Sequence, residues 1–360
     1  MTTELKAPFP WFGGKSDVCA AVWERFGDVP NYVEPFFGSG AMLLGRPQPF
    51  SGVETVNDKD GMICNFWRAV QAAPDEVAKW ADVPVNENQL HAVHHWLVER
   101  KDSLGPKLEG DPEYFDAKIA GWWCWGICCW IGSGWCSGDG PWSVQEVDGI
   151  RQLVHLSDAG MGVNRQLVHL GNAGMGVNRK LVHLSNAGRG VNRQLVHLGN
   201  AGMGETASES GVYDWMNDLA ERLKRVRVCC GDWRRVTGGK SGDSLKHFFA
   251  AGNTCVVFLD PPYSLEANRN MTLYREECGV VAHDVREWAI SQGNDPRLKI
   301  ALCGYDGEHT MPDNWTTLEW KTRGGYASVA DGETDGKANC KRERIHFSPH
   351  CLDPKQRDLI

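Results

Sequence analysis

The sequence predicts an α/β fold built on a doubly wound, Rossmann-like sheet, with an insertion that carries a β-rich tandem repeat of 14 residues. Three observations lead there. The apolar run Thr254-Cys255-Val256-Val257-Phe258-Leu259 ends in the rigid turn Asp260-Pro261-Pro262-Tyr263, as a parallel strand buried on both faces would. The segment Tyr32-Val33-Glu34-Pro35-Phe36-Phe37-Gly38-Ser39-Gly40-Ala41-Met42-Leu43-Leu44 reads as a short strand, a glycine turn and the start of an apolar helix. Strands alternate with helical stretches on either side of a middle region that breaks the pattern.

In chain order, Val56-Asn57-Asp58-Lys59-Asp60 places an acidic side chain where a second parallel strand would end. Residues 67–205 form the predicted insertion between the two halves, 1–66 and 206–360, of a split domain. The insertion opens with helical stretches from Gln89 to Lys101 and from Tyr114 to Ile131; the second holds Trp122, Trp123, Trp125 and Trp130, expected mostly in a core. The repeats then occupy 151–204. Their copies start at Arg151, Arg165, Arg179 and Arg193, each a six-residue strand followed by a Gly/Asn-rich turn. Beyond them, Val228-Cys229-Cys230-Gly231-Asp232-Trp233 ends another strand on an acid, and Arg297 to Gly304 forms a further strand. Glu343-Arg344-Ile345-His346-Phe347 alternates like a final edge strand.

The tetrapeptide after the apolar run carries the most chemistry. Pro261 and Pro262 fix φ and remove two backbone donors, which leaves a turn lined by acceptors. A carboxylate and a free carbonyl together accept both hydrogens of a planar exocyclic amine, and the Tyr263 ring stacks on the base that bears it. Gly38 and Gly40 permit a close backbone approach after the first strand. Asp58 stands where a ribose-hydroxyl acceptor belongs, or caps a helix.

Together with Phe9-Pro10-Trp11-Phe12-Gly13-Gly14-Lys15-Ser16, these segments in this order closely resemble the Dam-like family of adenine-specific DNA methyltransferases. The resemblance covers roughly residues 8 to 66 and 226 to 310. It implies S-adenosylmethionine as cofactor, with Trp11 and Lys15 near its methionine part, Glu34, Phe36, Gly38 and Gly40 as its cradle, and Asp58 on the ribose. Asp232 falls where the family contacts the cofactor's adenine amine; a strand-end cap is the other reading. Asp260, Pro261, Pro262 and Tyr263 would take a target adenine flipped out of double-stranded DNA, and the insertion would recognise the target sequence.

Composition fits this reading. An apolar content of 42% suffices for a large core, and the absence of a leader pattern or a spanning apolar run predicts a cytoplasmic protein without a membrane partner. Thirteen cysteines without regular spacing predict reduced thiols. No metal is expected, because Cys124, Cys128, Cys129 and Cys136 lack paired ligand spacing and the phased His155, His169, His183 and His197 follow strand alternation. The net charge of −8 opposes a polyanionic partner, but 151–204 holds five arginines and Lys180 against Asp158 alone. Arg151, Arg165, Arg179 and Arg193 are accordingly the expected phosphate contacts. A nucleotide hydrolase is disfavoured, since Phe9 and Arg234 stand where a P-loop needs glycine before Gly-Lys-Ser. A cytosine amine as target, RNA as substrate, and an inactive nucleic-acid-binding protein of the same fold stay open.

Overall fold

The computed structural model describes residues 5–11, 13–130, 135–137, 142–147, 150–155, 211–238, 245, 253–263, 280–320 and 343–354. The chain forms two compact units, one of residues 11–59 and 225–360 and one of 1–10 and 60–224.

The first unit holds a mostly parallel sheet. Its strands are β1 (Asn31–Glu34), β2 (Glu54–Asp58), β5 (Val226–Cys230), β6 (Cys255–Leu259), β7 (Leu298–Tyr305), β8 (Thr316–Glu319) and β9 (Glu343–Phe347), in the spatial order β5-β2-β1-β6-β7-β9-β8. Neighbours from β5 to β7 pair in parallel, and β9 runs antiparallel to both β7 and β8. The order reverses between β1 and β6. That is the switch point of a doubly wound, Rossmann-like sheet, outside whose carboxyl ends ligands bind.

Strand composition follows position. β6 is buried at every residue, as a central parallel strand must be when both faces are covered. Val257 and Leu259 point to one face with Val33, Ile300 and Leu302, where Val285, Trp288 and Ala289 of α9 (Val281–Gln292) pack on them. The alternate residue Tyr32 of β1 meets Trp23 of α1 (Cys19–Phe26) on the other face, with ring centroids 5.1 Å apart, and Phe26 meets Phe347. Glu343–Phe347 is not the edge strand its alternation suggested. β8 lies outside it, and the polar Arg344 pairs with Asp306 and Glu319 instead of facing open solvent.

The second unit is helical among its described residues, apart from the hairpin of β3 (Trp142–Val147) and β4 (Ile150–His155). Arg151, the start of the first repeat, lies in β4; Arg165, Arg179 and Arg193 lie outside the described residues. The helices are α3 (Gly61–Ala72), α4 (Pro74–Ala81), α5 (Glu87–Gly110), α6 (Ala117–Cys129) and α7 (Gly211–Leu223). The side chains of Asp60, Asn86 and Asp116 cap α3, α5 and α6 by accepting from the N–H groups of Met62, Gln89 and Ile119. Gly121 lets α6 approach α4, because a Cβ there would stand 2.6 Å from the Val77 carbonyl. Phe9, Phe66, Trp67 and Trp123 form an aromatic core of mostly edge-to-face contacts, and Cys124, Cys128, Cys129 and Cys136 are buried cysteines outside any disulfide.

Not every tryptophan is core. Trp80 of α4, Trp96 of α5 and Trp122 of α6 are half-buried and surround the Lys118 ammonium, which lies 4.7, 5.4 and 4.4 Å from their ring centroids. Three helices are thereby drawn to one cation. Replacing Lys118 by Met keeps the aliphatic stem and removes the charge, so stability should fall by about 1–2 kcal/mol, read as a lower urea midpoint of the unfolding transition that reports this unit.

Buried histidines give both units an acid liability. Burial pushes His94 down to about 3, and His309 and His346 down to about 4. His94 Nδ1 accepts the Cys136 N–H, as a neutral ring can. The unfolded chain takes up these protons near pH ~6.5 and the folded chain only below about 4, so the stabilising contribution is whole above the unfolded value. It is lost as pH falls through that window, by up to about 1.4 kcal/mol per pH unit for each histidine. Denaturation midpoints measured between about pH 7 and 5 should decline, and His346→Gln should flatten the decline for the sheet-bearing unit.

Candidate active site at the sheet switch point

β1 and β6 are adjacent parallel strands, so the turns that leave their carboxyl ends, Pro35–Gly40 before α2 (Ala41–Leu44) and Asp260–Tyr263, emerge side by side. Gly38 and Gly40 have φ of +48° and +67°, a region where a side chain is strained. The space above each is filled by the chain itself. A Cβ on Gly38 would stand 2.6 Å from Trp11 Nε1, and one on Gly40 would stand 2.7 Å from the Phe37 ring. Trp11 and the glycine turn are therefore packed together, while the half-buried Phe36 lies on Trp233 with centroids 6.4 Å apart.

Asp58, the last residue of β2, is half-buried and accepts the Gly38 N–H at 2.9 Å through Oδ2. It is not the helix cap; Asp60 is. Glu54, in the same stretch, is buried in an ion pair with Arg46 at 3.0 Å. Asp232 is half exposed, accepts the N–H of Arg234 at 2.9 Å where α8 (Arg234–Thr237) begins, and pairs with the Arg234 guanidinium at 3.2 Å. That is the geometry of a strand-end cap.

The centre of the site is Lys15. Its side chain is 4% exposed, and its ammonium lies 2.7 Å from Asp260 Oδ2, 2.7 Å from the Gly13 carbonyl, and 3.8 Å from Glu343 Oε2. Burial alone would lower its pKa, but Asp260 and Glu343 outweigh burial and raise it, so the lysine stays charged. The Tyr263 hydroxyl donates to Asp260 Oδ1 at 3.3 Å, and its ring packs edge-on against Tyr305 at 4.5 Å. Pro261 is buried and Pro262 half-buried. Glu34 ends β1 with a buried carboxyl that accepts the Tyr32 hydroxyl at 2.7 Å. Burial, together with the charges of Asp260, Asp58 and Glu54, pushes its pKa well up against that hydrogen bond.

Two further residues build the site. Asn57 is buried in β2 and donates through Nδ2 to both the Pro35 carbonyl at 3.1 Å and the Gly231 carbonyl at 3.0 Å, tying the turn after β1 to the turn after β5. Its signal was its place beside Asp58 at a strand end. Glu343 had no signal beyond strand alternation, because what makes it matter is Lys15, far away in sequence.

The charge balance suits a cationic ligand. Burial favours the neutral form of Glu34, so the carboxylates facing the one ammonium are Asp260 and Glu343, an acidic excess that a cationic group such as a sulfonium would offset. Asp58, at the carboxyl end of β2, has acceptor capacity for a ribose beyond the Gly38 N–H, since a carboxylate offers about four lone-pair positions. If S-adenosylmethionine is the ligand, as the resemblance implies, Asp58→Ala should weaken its binding roughly tenfold or more in calorimetry. Asp58→Asn can still accept from Gly38, so it separates loss of the turn's anchor from loss of the carboxylate.

No protein-family model matches the chain, and no curated protein matches it.

Proposed function

We propose that the protein is a DNA methyltransferase that uses S-adenosylmethionine to methylate the N6 amine of an adenine flipped out of the duplex. The observation that carries this reading is the placement of Asp260-Pro261-Pro262-Tyr263 and the glycine turn on adjacent parallel strands at the switch point of a doubly wound sheet. The resemblance of the motifs and of their order supports it and favours adenine.

An aromatic amine is a weak nucleophile because its lone pair is delocalised into the ring. Asp260 and the Pro261 carbonyl accept its two hydrogens, which favours a pyramidal nitrogen and concentrates the lone pair on it. Tyr263, tied to Asp260 through its hydroxyl, offers the ring on which the base stacks and so offsets the few kcal/mol of flipping. When bound, S-adenosylmethionine would supply the activated methyl group and keep the electron pair of the broken C–S bond on its sulfur, while the chain's own groups orient the amine and stabilise the positive charge that develops on it until the surplus amine proton leaves through Asp260 to solvent. On this reading, 67–205 is the target-recognition region and Arg151, Arg165, Arg179 and Arg193 meet phosphates, both assigned from sequence alone.

The test is incubation with methyl-labelled cofactor and double-stranded DNA, digestion to nucleosides, and mapping of modified positions by long-read sequencing. Label should appear in N6-methyladenine; label in N4-methylcytosine would move the assignment to the other amine, and no label would refute the proposal. Asp260→Asn should lower turnover by roughly a hundredfold or more while S-adenosylmethionine affinity stays within a few fold, because the lost interaction is made mainly in the transition state. Near-wild-type turnover in that variant would remove Asp260 from the mechanism.

A further inference from the structure

Glu343 enters the site from β9, opposite Tyr305 of β7 in register. It is 7% exposed, and its Oε2 makes no hydrogen bond although it faces Lys15 Nζ at 3.8 Å. A buried carboxylate oxygen in that position is costly unless the neighbouring cation compensates it. Meanwhile Lys15 holds Asp260 Oδ2 and Tyr263 reaches Oδ1, so each oxygen of the carboxylate that should receive a target amine already serves one of the chain's own donors. An ammonium on a carboxylate draws on its negative charge and weakens it as an acceptor for anything else.

We propose that Glu343 is a positioning residue that takes up the Lys15 ammonium when a target amine binds Asp260. The inference rests on the amine-methylating reading given above. A shift of the ammonium by ~1 Å would bring Glu343 Oε2 into hydrogen-bond range and free Asp260 Oδ2 for the amine, with Lys15 charged throughout. No proton changes hands in this step. The acceptor that receives the lysine is the same group that keeps it charged while Asp260 is occupied, so the site never holds a buried ammonium without a carboxylate.

The groups facing Glu343 are Lys15, Asp260 after β6 and Cys303 of β7, while its neighbour Arg344 turns to Asp306 and Glu319. Burial raises the pKa of the Glu343 carboxyl, Lys15 opposes the rise, and Asp260 adds to it. Cys303 is pushed up by burial and stays a neutral thiol. Protonating Glu343 would leave Lys15 on Asp260, so turnover should fall as pH drops through the raised value.

Glu343→Gln preserves shape and removes the charge. Two readouts test it. In NMR spectra of the lysine ammonium groups at neutral pH, with Lys15→Met to assign the signal, the Lys15 resonance should move when double-stranded DNA binds the wild type and stay in place when it binds Glu343→Gln. In steady-state kinetics with double-stranded DNA, kcat should fall about tenfold or more with KM for the cofactor within a few fold, the acid limb should disappear, and Glu343→Asp should restore much of the rate. A Lys15 resonance that DNA leaves in place in the wild type, or an unchanged kcat in an active enzyme, overturns the hand-over alone. A wild type that transfers no methyl group to DNA sinks the methyltransferase reading, and the hand-over with it.

Discussion

A lysine ammonium buried to 4% exposure loses several kcal/mol of hydration, and nothing in an apolar interior returns it. Only carboxylates at close range do. This one constraint organises the sheet's carboxyl edge. Lys15 requires Asp260 at 2.7 Å and Glu343 within 4 Å, so the amino-terminal loop, the turn after β6 and the start of β9 must converge although they lie far apart in the chain. The pair also aims Asp260, because Lys15 on Oδ2 and the Tyr263 hydroxyl on Oδ1 set the plane of the carboxylate. Removing Lys15 would leave the Asp260 and Glu343 carboxylates without their cation, which costs more than the pair contributes when intact.

The sheet supplies the frame in which that convergence is possible. Strands parallel from β5 to β7 send all their carboxyl ends to one edge, and the reversal of order between β1 and β6 opens a crevice there. Asn57 holds one side of that edge: it bonds the carbonyls of Pro35 and Gly231, while the Phe37 N–H returns to the Asn57 carbonyl at 2.9 Å. The glycine turn is thus fastened to β2, by Asn57 below and by Asp58 at the Gly38 N–H. This turn is pre-formed, with Trp11 and Phe37 occupying the room above the two glycines.

Much of this was legible because it depends on neighbours in the chain. The apolar run of β6, the glycines with positive φ and the acid at the end of β2 are local signals, and the strands appear within a residue or two of where periodicity puts them. What was not legible depends on partners. Strand alternation in Glu343–Phe347 suggested an edge, whereas β8, with the mostly exposed Thr316-Thr317-Leu318-Glu319, has too little apolar pattern to announce that it covers β9. α5 runs past Lys101 to Gly110 through Pro106, because Leu104 and Leu108 are buried and tertiary packing outweighs the proline. The resemblance marked Lys15 as a site residue, but its pairing with Asp260, the carboxylate proposed for the target amine, has no signature in spacing at all.

The electrostatics of the site and of the whole chain then pull in opposite directions. An acidic edge around one ammonium favours a cationic cofactor, and the net charge of −8 repels a polyanion. The sequence separates the two along its length, with six cations and a single acid gathered between Arg151 and Gly204 and the site's carboxylates at residues 58, 260 and 343. On the proposed function, that segregation lets a chain acidic overall retain a basic segment for DNA. It would also place the salt-sensitive part of binding in the repeats and leave the buried pair at Asp260, shielded from ions, nearly indifferent to salt.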